Sequence, residues 1–178
     1  MSRNIWSATA LIVIVCGLPG VGKTTLSREL APIIGAIILS TDKIRKELIP
    51  RPTYRWQERR LVYDVLLILA KYLHNAGATC ILDATFNTEN SRKELKHKLA
   101  LTPDQFSLIE CTCPEDEIIS RLKNRKNDYS DADISIYRKM KKIYEPVREE
   151  HIIVDTSNTH QIDIQKLANQ VLKIRRCR

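Results

Sequence analysis

Gly17-Leu18-Pro19-Gly20-Val21-Gly22-Lys23-Thr24 follows the pattern G-x-x-x-x-G-K-[ST]. Glycines at these spacings let successive backbone N–H groups turn inward around a polyphosphate. The lysine reaches the β- and γ-phosphates, and the threonine hydroxyl is a ligand for Mg²⁺. The pattern has meaning only between a strand and a helix, and both are predicted here. Leu11 to Cys16 is a short, continuous apolar run rich in β-branched residues, as in a strand buried on both faces of a parallel sheet. Lys23 to Ile33 reads as a helix, and its N-terminus points positive charge at the same anion. The whole stretch from Gly17 to Thr25 is therefore expected to hold ATP, with Mg²⁺ at Thr24.

Working outward, strands and helices alternate. Ala36 to Leu39 is a second short strand, after which Thr41 or Asp42 can cap a helix. Arg55 to Asn75 has the helical period, with apolar residues at 61, 62, 65, 66, 69 and 73, and Gly77 stops it. Thr79 to Leu82 is a buried strand ending at Asp83, Ser91 to Leu99 a helix, and Phe106 to Glu110 a fourth strand. Pro114 opens a helix that is acidic in its first turn and basic in its last, the order the helix dipole favours. A helix resumes near Asp131 and ends before Pro146. His151 to Val154 is a fifth strand, and Ile162 to Ile174 a last helix. Such alternation means an α/β fold with a parallel sheet. The 178 residues contain no repeat, low-complexity stretch or Gly/Ser/Pro-rich linker, so residues 1–178 are read as a single domain.

Composition narrows the partners. A net charge of +8 favours acidic ones such as nucleotides, nucleic acid or phosphorylated metabolites, without choosing among them. The longest apolar run, Ala10 to Cys16, is too short to span a bilayer, and no cleavage site follows it, so a cytoplasmic protein is expected. Of the five cysteines, Cys16 and Cys80 lie in apolar runs, and Cys111 and Cys113 form C-x-C without the further ligands of a zinc site.

Asp83 ends an apolar strand, where a carboxylate can meet the metal, its waters and the substrate. Ser40-Thr41-Asp42 follows the second strand, at the sheet end where α/β folds place ligands. A kinase needs a carboxylate to accept the proton of the attacking hydroxyl, and Asp42 is the candidate base. Arg45 lies one helical turn on and is a candidate for a phosphate or carboxylate of the acceptor. Residues 51–60, Arg-Pro-Thr-Tyr-Arg-Trp-Gln-Glu-Arg-Arg, interleave cations with Tyr54 and Trp56, as suits phosphates and stacked bases; Tyr54 and Arg55 are candidate substrate contacts. Arg121 and Arg125 share a helix face before a polar break. A small helical lid over about residues 123–131 is expected to bring arginine to the phosphates.

Taken together, Gly17 to Thr24, Thr41-Asp42 with Arg45, Asp83-Ala84-Thr85 with Arg92-Lys93, Arg121 with Arg125, and Ser130-Asp131-Ala132 resemble the P-loop kinases of the predicted-kinase type, also grouped as AAA-domain kinases. The chain is similar in particular to the 5′-hydroxyl polynucleotide kinases. The resemblance spans residues 11–156. It implies a five-stranded parallel sheet of order 2-3-1-4-5 flanked by helices. It also implies that Asp42 is the general base, that Arg45 contacts a phosphate of the acceptor, that Arg125 contacts the ATP phosphates and that Arg121 lies against the nucleotide. The first expected acceptor is the 5′-hydroxyl of DNA or RNA. The same skeleton serves kinases of gluconate, chloramphenicol and nucleotide sugars, so a small-molecule kinase stays open, as does a nucleotide-dependent regulatory ATPase.

Overall fold

The computed structural model describes residues 10–124, 130–158 and 161–173. In chain order these form β1 (Ile12–Cys16), α1 (Lys23–Ile34), β2 (Ala36–Ser40), α2 (Thr41–Leu48), α3 (Trp56–Asn75), β3 (Thr79–Asp83), α4 (Glu89–Lys98), β4 (Phe106–Thr112), α5 (Glu115–Asn124), α6 (Ile134–Ile143), β5 (Ile152–Asp155) and α7 (Ile164–Lys173). The strands make one parallel sheet of order β2-β3-β1-β4-β5.

The apolar run of β1 is explained by what covers it. Val13 and Val15 face a core that includes Leu26 and Leu30 of α1 and Leu167, Ala168 and Val171 of α7. Ile12 and Ile14 face the opposite core, with Val62 and Leu66 of α3 and Leu95 of α4. Burying each such side chain contributes roughly 1.5–3 kcal/mol, so a polar residue in β1 would be costly on either face.

Register then places the chemistry. Ser40 at the end of β2 pairs with Asp83 at the end of β3, and Val15 of β1 also pairs with Asp83. The loop after β1, the start of α2 and the end of β3 therefore meet at the carboxyl end of the sheet, where open α/β sheets bind their ligands.

Several element ends differ from the sequence reading. Ser40, not Thr41 or Asp42, occupies the N-cap of α2; Asp42 sits inside the first turn because its carboxylate is engaged by Arg45 instead. Helix α4 starts two residues early, at Glu89, because Thr88 Oγ1 accepts from the Ser91 N–H at 3.2 Å. Strand β4 runs on to Thr112 because β5 pairs with it as far as Asp155. Helix α6 begins at Ile134 rather than near Asp131, since Asp133 caps it through a 2.8 Å bond from the Ile136 N–H.

Arg92 carries a buried charge that the sequence does not announce. Its side chain is 0% exposed. Nη1 donates to Phe86 O at 2.8 Å, Nη2 to Pro146 O at 3.4 Å, and Nε lies 3.6 Å from Glu149 Oε1. It thus ties the segment after β3, where Phe86 adopts φ 43°, to the segment before β5. Arg92→Met fills the space but strands these acceptors. It is expected to cost about 3 kcal/mol, read as a lower denaturant midpoint at unchanged slope. An unshifted midpoint would show that the contacts are dispensable.

Cys16, Cys80 and Cys111 are buried free thiols, pushed by burial to about 11, 11 and 12 respectively. Cys113 is half-buried and also raised, chiefly by burial. Among the described residues no cluster of His, Cys, Asp and Glu is fit to hold a metal alone, and no helix is long and apolar enough to cross a membrane. Cys177 lies outside the described residues.

Candidate active site

The loop of Gly17 to Gly22 is pressed against its surroundings. Gly17 has φ 136°, and a Cβ there would stand 2.6 Å from the Cys111 carbonyl oxygen of β4. Gly20 has φ 85°, and a Cβ there would meet Ile118 of α5 at 2.9 Å. Side chains at these positions would push the loop off the sheet, so glycine is required by both conformation and space. Gly22, at φ 89°, is the N-cap of α1 and leaves the first N–H groups of the helix facing the cradle. Lys23 Nζ donates to Leu18 O at 2.9 Å across the same loop.

Thr24 Oγ1 donates to Asp83 Oδ2 at 2.7 Å, joining the first turn of α1 to the end of β3. Asp83 is buried; burial pushes its carboxyl up, opposed by the charge of Lys23 and the Thr24 hydroxyl. Two hard oxygen ligands beside a polyphosphate cradle fit Mg²⁺, which takes one or two protein oxygens and completes its shell with phosphates and water. Thr24 and Asp83 are the residues that would hold it, and the bound ion would offset charge on the β- and γ-phosphates.

A cleft of about 770 Å³ opens from this cradle. Pro19, Gly20, Lys23, Thr24, Thr25 and Asp83 line it together with Thr41, Asp42 and Arg45. Arg45 Nη1 donates to Asp42 Oδ1 at 2.9 Å, so the two residues do face one cleft. Arg45 is nevertheless not the free surface cation its spacing allows. Its side chain is 10% exposed, its Nε stands 3.3 Å from Glu58 Oε1, and its guanidinium lies 5.0 Å from the centre of the Tyr54 ring.

Glu58 was not foreseen. It sits in the first turn of α3 and reaches back past the N-cap to the turn that leads into the helix. Oε2 accepts from Thr53 N at 2.6 Å, Thr53 Oγ1 at 2.9 Å and Tyr54 N at 3.1 Å. Burial alone would raise its carboxyl, but these donors together with Arg45 hold it below the ordinary range. They also fix Tyr54 at φ 58°, an uncommon conformation for a residue with a side chain. The Tyr54 hydroxyl donates to Asp131, which Lys46 of α2 also engages at 3.1 Å.

Tyr54 reaches the cleft from the turn before α3, and helical spacing selects among the residues that follow. Trp56, Arg59, Arg60 and Tyr63 of α3 line it, at offsets of three, four and seven. Arg55 does not reach the cleft wall: it is the exposed N-cap of α3, and its extended backbone (φ −64°, ψ 159°) takes its side chain off the helical face. Met140 and Ile143 of α6 supply an apolar wall that the sequence reading did not include. The signal available was the spacing 136, 140, 143.

Arg121 is tied down. Its Nη2 donates to the carbonyls of Thr156 at 2.7 Å and Ser157 at 3.0 Å, and its Nε to Glu117 at 2.9 Å. It lies beside the cradle, since a Cβ on Gly22 would stand 3.5 Å from its Nη1. Thr156 packs on the same loop, its hydroxyl against Val21 O and 2.9 Å from Thr112 O. Arg125 and most of the expected lid lie outside the described residues.

Comparison with known proteins agrees with this fold. A kinase-assigned protein of Chloroflexus aurantiacus, its assignment provisional, superposes with a TM-score of 0.73 at 20% identity over 94% of this chain and 96% of its own. A sugar kinase from Janibacter gives 0.68 at 18% identity over 92% and 93%. An APS kinase of Mycobacterium tuberculosis, solved with AMPPNP and APS, gives 0.66 at 14% identity over 94% and 98%. These likenesses show the P-loop kinase fold. An uncharacterized protein of M. tuberculosis is 28% identical over 147 residues. That match covers 76% of this chain and 30% of the relative, so the chain spans under a third of its length. The AAA domain family AAA_33 matches residues 12–147, and the chain belongs to it.

Proposed function

We propose that this protein is a kinase that moves the γ-phosphate of ATP to an acceptor hydroxyl, with Mg²⁺ as the metal. The observation that carries the reading is the single cleft that joins the Lys23–Thr24–Asp83 cradle to Asp42. A nucleotide switch needs the cradle but has no use for a carboxylate facing it. Asp42 takes the proton of the acceptor hydroxyl. The acceptor oxygen bonds to the γ-phosphorus as the bond to the bridging oxygen breaks, giving the phosphorylated acceptor and ADP. Lys23 and the N-terminus of α1 hold the charge that develops.

The first acceptor is the 5′-hydroxyl of DNA or RNA. In support, Trp56 is 72% exposed at the cleft and Arg59 lines the same wall, one surface for stacking and one for phosphate. A small hydroxyl metabolite is the second reading, favoured by the solved relatives that act as a sugar kinase and an APS kinase.

Transfer from γ-labelled ATP with Mg²⁺, offered to 5′-hydroxyl oligonucleotides beside a pool of small hydroxyl metabolites, tests both. Label on the oligonucleotide, falling steeply between low and moderate salt as phosphate contacts require, is the expected result. Label in the small-molecule pool alone would exclude the nucleic-acid acceptor. No label anywhere would sink the kinase reading.

A further inference from the structure

Arg45 stands between two carboxylates, and only one of them is in the cleft. The side chain of Asp42 is 37% exposed and that of Glu58 is 8% exposed. Holding the turn before α3 accounts for Glu58 Oε2, which takes three donors from Thr53 and Tyr54. It does not account for Oε1, which is buried and directed at Arg45 Nε as an ion pair without an aligned hydrogen bond. With Glu58 on one edge of the guanidinium and Tyr54 on its face, the plane of Arg45 is set. Its Nη1 then holds Asp42 Oδ1, which leaves the second oxygen of Asp42 without a bond from Arg45 in a residue that lines the cleft.

We infer that Glu58 is a positioning residue: it fixes the Arg45 guanidinium and through it the Asp42 carboxylate, so that Arg45 serves the base rather than a phosphate of the acceptor. The inference rests on the reading of Asp42 as the base. One cation shared by two carboxylates has its charge offset inside the cluster, which makes it a poor ligand for a third anion. An acceptor phosphate would be met instead by Arg28 and Arg59. Both are exposed and line the cleft, and no ion pair of either is recorded among the described residues.

Glu58→Gln separates positioning from support of the turn before α3. The amide oxygen still accepts from Thr53 and Tyr54, while the charge that faces Arg45 is gone. Steady-state kinetics of the full chain are measured with ATP and whichever offered acceptor the wild type labels, an oligonucleotide or a metabolite of the pool. The expected result is a fall in kcat of about tenfold to a hundredfold, the scale of a misplaced reacting group. The acceptor KM and the ATP Kd stay within about twofold, the pattern of an interaction made in the transition state. Arg45→Lys, which cannot bridge both carboxylates, is expected to give the same split. An unchanged kcat in Glu58→Gln would overturn the inference while the kinase reading stands. So would a manyfold rise in acceptor KM with kcat intact in Arg45→Lys, because Arg45 would then be the acceptor ligand. A wild type that labels nothing removes the kinase reading and the inference with it, and is told apart because no variant is involved.

Discussion

Lys23→Ala is expected to reduce phosphoryl transfer by about a hundredfold to a thousandfold or more, the loss that follows removal of one preorganised charge-stabilising donor. The side chain lies in the cradle, with Nζ 2.9 Å from Leu18 O, and it belongs to neither hydrophobic core. The variant should therefore unfold at the wild-type denaturant concentration, give or take the loss of one half-exposed hydrogen bond, worth about 1 kcal/mol. ATP affinity should fall as well, since Lys23 meets the phosphates in ground and transition states alike. Lys23→Arg should not rescue transfer. A planar fork in a loop this tight cannot replace a compact ammonium, and the close approaches at Gly17 and Gly20 leave the loop little room to adapt. Single-turnover transfer and nucleotide binding on the same preparation check this; a variant that transfers at the wild-type rate would dismiss the assignment of the cradle.

Asp42→Asn is the second large effect. Transfer should drop by about 10²- to 10⁴-fold, the usual contribution of a positioned base, while ATP binding stays within a few fold. The asparagine carbonyl can still accept from Arg45 Nη1, so the 2.9 Å contact that holds the side chain has a substitute and the geometry is kept. What is lost is the ability to take a proton. Equal loss of ATP binding in this variant would assign Asp42 to the structure of the cleft instead of to the chemistry.

Local chemistry was legible in the chain. Three glycines and a lysine at fixed spacing after a β-branched run specify a cradle, because each needs only its immediate backbone conformation and the helix that follows. Continuous apolar strands separated by amphipathic helices specify a parallel sheet, because only strands covered on both faces lack polar positions. Asp42 and Arg45 could be placed on one side by helical spacing alone. Tertiary structure decided the rest, because it depends on which distant groups share a desolvated space. Arg92 reads as one basic residue among several on α4, yet it is 0% exposed, and two of its three partners, Pro146 and Glu149, lie more than fifty positions away. Arg55 and Arg59 look equivalent, four apart, until the start of α3 at Trp56 leaves Arg55 outside the helix with extended backbone while Arg59 lines the cleft. Glu58 reads as one charge among the basic residues of the 51–60 stretch, and its Oε1 acquires a meaning only when α2 brings Arg45 against it. The sequence alone determined the loop that is proposed to hold a polyphosphate; folding alone decided that the arginine beside the proposed base is already engaged, because a buried guanidinium must find its anions wherever packing puts them.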